Sequence, residues 1–337
     1  MGDLLKGRVA IITGSGQGIG RELALWMAQQ GCRVIVNNRK KGSSVQAHED
    51  KVVKLSEEDI AKISKIIGDC EGTAEIVNSD PEVQAAGGAA IAVYADVCKL
   101  DDCKRLVDAA VENWGRIDIL INNAAATWTG NVKEMQPKNW EVCVRSKLDS
   151  CFYLAYWALP YMVRQHYGRI LICSSEAQVG LEGMCGYSAA CGGVAALARA
   201  WSQDLIEDGI SVNAYTPNAG TRSWFNMLAE YREEGYDVEA IEEGSPAAQK
   251  FPPERMVPVL GYMCSEEFDA TGLIVSVCAD GEIALWNNLS KFNVCGKDVW
   301  AEGKWTVEDL RDVVPNKLLK DVFFSRATLA VNKTSYE

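Results

Sequence analysis

Arg8-Val9-Ala10-Ile11-Ile12 is an almost unbroken apolar run, the pattern of a parallel strand buried on both faces. Beyond a glycine-rich turn the period changes. Ile19, Leu23 and Met27, with Ala24 and Ala28 beside them, fall at helical spacing up to Gln30, and Gly31 supplies a stop. Arg33-Val34-Ile35-Val36-Asn37 reads as a second strand. The alternation continues with a strand over Ala90 to Tyr94, a helix around Asp101 to Trp114 and a strand over Ile117 to Ile121. A long helix from Trp140 to Val163 and a strand over Arg169 to Cys173 follow. Strand and helix in this rhythm predict an α/β fold, a doubly wound parallel sheet forming one domain over residues 1–285.

Three stretches depart from the rhythm. Residues 41–84 are longer than a crossover needs and rich in charge, with a helix-like piece near Glu57 to Ile67, and read as a surface insertion. After Pro217, about residues 218–250 place Trp224, Phe225, Met227, Leu228, Tyr231 and Tyr236 before the next regular element, a segment suited to capping a substrate or to burial in an oligomer contact. Residues 286–337 form a C-terminal extension whose Trp286, Trp300 and Trp305 suggest packing on the body or on a neighbour.

Composition narrows the function. Of the 337 residues, 48% are apolar and 24% charged, and no apolar run approaches the about 20 residues of a membrane span. A net charge of −12 without a basic stripe argues against a nucleic-acid partner. The start of the chain has no signal-peptide core, and the twelve cysteines form no CxxC pair, so they read as reduced thiols in a cytoplasmic protein. With only His48 and His166 available, no metal site is expected.

The turn Thr13-Gly14-Ser15-Gly16-Gln17-Gly18-Ile19-Gly20 lies between strand and helix, where glycines let the backbone approach a pyrophosphate and the helix N-terminus attracts its charge. The second strand ends at Asn37-Asn38-Arg39-Lys40, with no carboxylate for a ribose 2′-hydroxyl and with cations suited to a 2′-phosphate. That pattern favours NADP(H) over NAD(H). Asp96 after the third strand, with Val97, can serve the adenine. Asn123 in Asn122-Asn123-Ala124-Ala125 falls beside the same expected cofactor path.

These motifs, in this order and spacing, resemble the Rossmann-like short-chain dehydrogenase/reductase family over about residues 7–285. Within it the likeness is to (3R)-hydroxyacyl-CoA dehydrogenase units of the kind found in peroxisomal multifunctional enzyme type 2. It is carried by Tyr167-Gly168-Arg169-Ile170, Thr216-Pro217-Asn218-Ala219-Gly220-Thr221-Arg222 and Met263-Cys264-Ser265-Glu266-Glu267. The resemblance implies that Ser174 polarises a carbonyl and that Tyr187, thirteen residues later, passes the proton while a nicotinamide passes hydride. It also implies that Pro217 lies beside the cofactor path.

Two positions break the family pattern. A phenol with a pKa of ~10 is only about 0.1% ionised at neutral pH and needs electrostatic help to act as a base. The family's lysine, one turn after the tyrosine, gives that help, and here the position is Cys191. A neutral thiol cannot replace an ammonium. The family's asparagine on the preceding long helix is Lys147, which helical spacing turns away from the charged Glu141, Arg145 and Asp149 face and toward the interior. One reading is a relocated cation, Lys147 acting on Tyr187 from another helix. The others are an inactive subunit that binds nucleotide and pairs with an active paralogue, or a hydratase or dehydratase on the same fold. Cys191 reads mainly as a small apolar residue in a closely packed helix, and alternatively as a thiolate acidified by Lys147.

The expected substrate is a small molecule, bulky and apolar, possibly a CoA thioester, with Arg222 and Arg232 available for its phosphate or carboxylate. The resemblance implies a homodimer or tetramer, or a hetero-oligomer with a related chain, packed through the helices that carry Lys147 and Cys191.

Overall fold

A computed structural model describes residues 2–42, 68–233, 235, 237–244, 251–286, 298–299, 301 and 303–318. Strand β1 (Val9–Ile12) sends Ala10 and Ile12 into one buried cluster and Val9 and Ile11 into another. A strand alternates its side chains between faces, so an unbroken apolar run implies cover on both. Helix α1 (Gly18–Gln29) buries Leu23 and Met27, and Gly31 ends it at φ +82°, a conformation that suits glycine.

After β2 (Arg33–Asn38) come α2 (Cys70–Ser79) and α3 (Pro81–Ala86), started by the side chains of Asp69 and Asp80, which accept from backbone N–H groups. Here the expectation of a surface insertion over 41–84 is corrected for its last part. Cys70, Ala74, Val77 and Val83 are buried in the main core, and α2 is the regular crossover to β3 (Ala89–Tyr94). The spacing of Cys70, Ala74 and Val77 is that of an apolar helix face, masked in sequence by neighbouring glutamates. The piece near Glu57 to Ile67 lies outside the described residues.

Helix α4 (Leu100–Trp114) and strand β4 (Ile119–Asn122) follow. The long helix expected over Trp140 to Val163 is α5 (Pro137–Val144), a π turn over Arg145–Asp149, and α6 (Ser150–Gln165). Then come β5 (Gly168–Cys173), a 3₁₀ turn (Glu176–Val179), α7 (Cys185–Asp204), β6 (Ile210–Asn218), α8 (Arg222–Glu233), α9 (Val238–Gly244), α10 (Val257–Met263) and β7 (Ile274–Cys278).

The sheet runs β3-β2-β1-β4-β5-β6-β7, all parallel, and is extended by antiparallel β8 (Ile283–Leu285) and β9 (Asp298–Val299). Helices α1, α2 and α10 cover one face, and α4, α6 and α7 the other. Beyond β9, Trp305 is 4% exposed and donates to the Gly281 carbonyl at 3.0 Å, and helix α11 (Val307–Val313) adds Leu310 to the main core. The described part of the extension therefore packs on its own body.

Candidate active site

Chain order reverses between β1 and β4, and the ends of β1, β4, β5 and β6 open on the crevice in which sheets of this type bind ligands. The glycine turn after β1 is shaped for a close backbone approach. Gly14 (φ +64°) and Gly18 (φ +53°) hold left-handed conformations. A Cβ on Gly20 would lie 2.7 Å from the Gly14 carbonyl oxygen, and one on Gly16 would strike the Asn38 side chain and the Asp69 backbone. Space is open at Gly18, and Gln17, which precedes α1, makes no side-chain cap. The first N–H groups of Gly18, Ile19 and Gly20 thus face an uncapped helix start, and the buried Gln17 Oε1 accepts no hydrogen bond. This cradle fits a dinucleotide diphosphate.

Two residues expected to meet the cofactor brace the turn with their side chains. Ser15 is fully buried; its hydroxyl donates to the Ile12 carbonyl at 2.6 Å and accepts from the Asn37 N–H at 2.9 Å. The Asn123 amide donates to the Thr13 carbonyl at 3.0 Å and accepts from the Tyr215 hydroxyl at 3.0 Å. Asn38 is buried at the end of β2, with Arg39 and Lys40 exposed beyond it. Asp96 is half-buried and accepts from the Cys98 N–H, and Val97 is buried beside it. Pro217 lies at the end of β6, paired in register with Val277.

The π turn sets Lys147. Side-chain donors take up carbonyls of the loosened helix: Ser146 donates to Val142 at 2.7 Å, Ser150 to Ser146 at 2.7 Å and Cys151 to Lys147 at 3.0 Å. Lys147 is 2% exposed; its Nζ donates to the Ser174 carbonyl at 3.2 Å and lies 5.4 Å from the centre of the Tyr187 ring. Burial works against its charge, but attraction from the anions that Cys173, Tyr187 and Cys191 can form keeps its pKa above the ordinary lysine range.

Tyr187, in the first turn of α7, is pushed up to about 12 by burial, while Lys147 and a hydrogen bond from Ser175 pull the other way. Cys191 is fully buried and pushed up to about 11, again by burial with Lys147 opposing. The acidified-thiolate reading is thereby reversed. Cys191 is a neutral packing residue.

Ser174, the expected serine, lies deeper than its neighbour Ser175. Ser174 is fully buried, and its hydroxyl donates to the Cys191 carbonyl at 3.1 Å. Ser175 is half-buried, accepts from the Ala177 N–H at 3.2 Å ahead of the 3₁₀ turn, and acts to lower the Tyr187 pKa.

A doubly wound sheet with a glycine turn after β1, and with a serine beyond β5, a tyrosine in α7 and a lysine in the π turn gathered beside it, defines a dinucleotide-binding fold with a polar cluster at its crevice. The sequence profile of the short chain dehydrogenase family matches residues 8–76 and 64–230, and the chain belongs to that family. It is 30% identical over 274 residues to peroxisomal multifunctional enzyme type 2 of Mus musculus, covering 81% of this chain and 32% of that enzyme. For the Drosophila melanogaster enzyme of the same name the share is 39%, so the chain spans roughly a third of these relatives. It is 28% identical to a 3-oxoacyl-[acyl-carrier-protein] reductase of Synechocystis, over 80% of this chain and 98% of the reductase. A crystal structure from Burkholderia xenovorans, described as a short-chain dehydrogenase/reductase, superposes with a TM-score of 0.66 at 24% identity over 82% of this chain and 97% of that one.

Proposed function

We propose that the chain interconverts a secondary alcohol and a ketone on a hydroxyacyl thioester or a bulky cyclic substrate, through a relay of Ser175, Tyr187 and Lys147. The observation that carries this reading is the Lys147 ammonium, bonded to the Ser174 carbonyl and lying over the Tyr187 ring. A bound nicotinamide would supply or accept the hydride. The Ser175 hydroxyl would hold the substrate oxygen, and the Tyr187 phenol would give or take its proton. Lys147 would favour the phenolate from the long helix instead of from the tyrosine's own helix, as the sign of its effect on Tyr187 requires.

The thioester class is supported by relatives named as a 3-oxoacyl-[acyl-carrier-protein] reductase and a (2S)-[(R)-hydroxy(phenyl)methyl]succinyl-CoA dehydrogenase subunit. NADP(H) is favoured over NAD(H) by the exposed Arg39 and Lys40 and by the lack of a carboxylate at the end of β2. The eleven described cysteines are free thiols, which agrees with a cytoplasmic location. No helix among the described residues is long and apolar enough to cross a membrane. A second copy or a related chain is the proposed partner of the α6/α7 face, where Phe152 and Tyr156 are 54% and 52% exposed beside grooves lined by Leu148, Gly193, Leu197 and Trp201.

One observation favours the rival reading of a nucleotide-binding subunit without turnover: Tyr187 is pushed far above neutrality despite Lys147. Single-turnover hydride transfer from NADPH to a 3-oxoacyl-CoA separates the two. The proposed enzyme transfers hydride, and Lys147→Met slows it by about 10²–10⁴-fold. A wild-type protein that binds NADPH without transfer supports the silent subunit, and full activity in Lys147→Met removes the relocated cation.

A further inference from the structure

Arginines in this protein commonly find carboxylates. Arg8 and Arg116 meet Asp118, Arg21 meets Glu22, Arg145 meets Glu141, and Arg311 meets Glu267 and Glu308. Arg222 does not. It is half-buried, and among the described residues its guanidinium makes no ion pair and no hydrogen bond. This is so in a chain with 46 acidic residues against 34 basic ones. Burial alone acts on its pKa, and lowers it. A guanidinium drawn partly out of water with nothing to accept from its N–H groups costs folding free energy.

The position of Arg222 explains why such a cost can be kept. It opens α8, just past the end of β6, on the ligand-facing edge of the parallel sheet. The backbone leading to it is fixed on both sides. The Asn218 carbonyl accepts from the Ala279 N–H at 2.8 Å, the Gly220 N–H donates to the Phe251 carbonyl at 2.9 Å, and the Thr221 carbonyl accepts from Trp224 at 3.0 Å. The charge is held ready on a fixed stretch of chain.

We propose that Arg222 binds a phosphate group of the ligand in this crevice, carried either by the dinucleotide cofactor or by a nucleotide-tailed thioester substrate. A guanidinium fork matches two phosphate oxygens, and partial exclusion of water strengthens the contact. The identity of these two sources rests on the proposed oxidoreductase function; the need for an anion does not.

Calorimetric titration of the full chain with NADH, NADPH and coenzyme A, for wild type, Arg222→Gln and Arg222→Lys, tests this together with thermal melting of the ligand-free proteins. Affinity for at least one nucleotide should fall about tenfold or more in Arg222→Gln and recover in part in Arg222→Lys. Ligand-free Arg222→Gln should melt no lower than wild type, because no partner among the described residues is lost. A loss confined to NADH and NADPH assigns the phosphate to the cofactor, and one confined to coenzyme A assigns it to the substrate. Unchanged affinity for all three, no binding by wild type, or ligand-free melting lowered by several degrees in Arg222→Gln overturns the proposal. Wild-type protein that binds nucleotide without transferring hydride, with the Arg222→Gln loss intact, removes the proposed reaction and leaves this assignment standing.

Discussion

Ser174 and Ser175 are chemically identical neighbours with opposite surroundings, one sealed against the α7 backbone and one open toward Tyr187. Their mutants should diverge. Ser175→Ala removes the hydroxyl proposed to hold the reacting oxygen and should lower the hydride-transfer rate by about 10²–10³-fold. Ser174→Ala removes one buried hydrogen bond and should cost about 1 kcal/mol of stability with little change in rate. Stopped-flow transfer and denaturant titration of the two variants read both; equal rate losses would return the role to Ser174. At this scale the sequence was readable in residue type and blurred in register. Tyr187 and Lys147 are picked out by their neighbours, but a run of two serines does not say which faces the crevice, because that depends on where β5 ends.

The elements repeat the lesson on a larger scale. Strands and helices with a strong period stand within a few residues of where apolar spacing puts them, from β1 to β5. Two features were hidden. Helix α2 was obscured because its buried stripe is made of Cys70, Ala74 and Val77, small residues diluted by Glu71 and Glu75. The π turn was obscured because apolar periodicity does not register one extra residue per turn, although Ser146, Ser150 and Cys151 are suitably placed to take up its carbonyls. The glycine turn gives a direct check. Gly16→Ala would drive a methyl into the Asn38 side chain and the Asp69 backbone. It should separate α2 from the turn, weakening nucleotide binding in titration and lowering the melting temperature by several degrees, whereas Gly183→Ala, at φ +72° but with only distant neighbours, should spare binding.

For the molecule as a whole, the buried acids set the response to alkali. Cys103, Cys151, Cys264 and Cys278 are each pushed from 9.0 up to about 12 by burial, Cys191 to about 11, and Tyr187 from 10.0 to about 12. Each is raised on folding, so the fold prefers the neutral forms. Stability from these groups is complete below about pH 9 and is lost as pH rises through 11 to 12. Urea titrations across that range should show a flat plateau followed by a steep fall, steeper than in a variant with Cys103 and Cys264 replaced by alanine; equal slopes would mean the thiols ionise without penalty.

The Lys147 ammonium has a consequence for how the site can change. Lys147, Cys191 and the Ser174 carbonyl are buried together beside Tyr187, so a lysine at position 191 would place two cations where one carbonyl now serves one. A lysine at position 191 is therefore opposed while Lys147 stands, and giving up Lys147 first removes the buried cation beside Tyr187. The two positions can exchange the charge only together, which makes the present arrangement hard to leave by single steps.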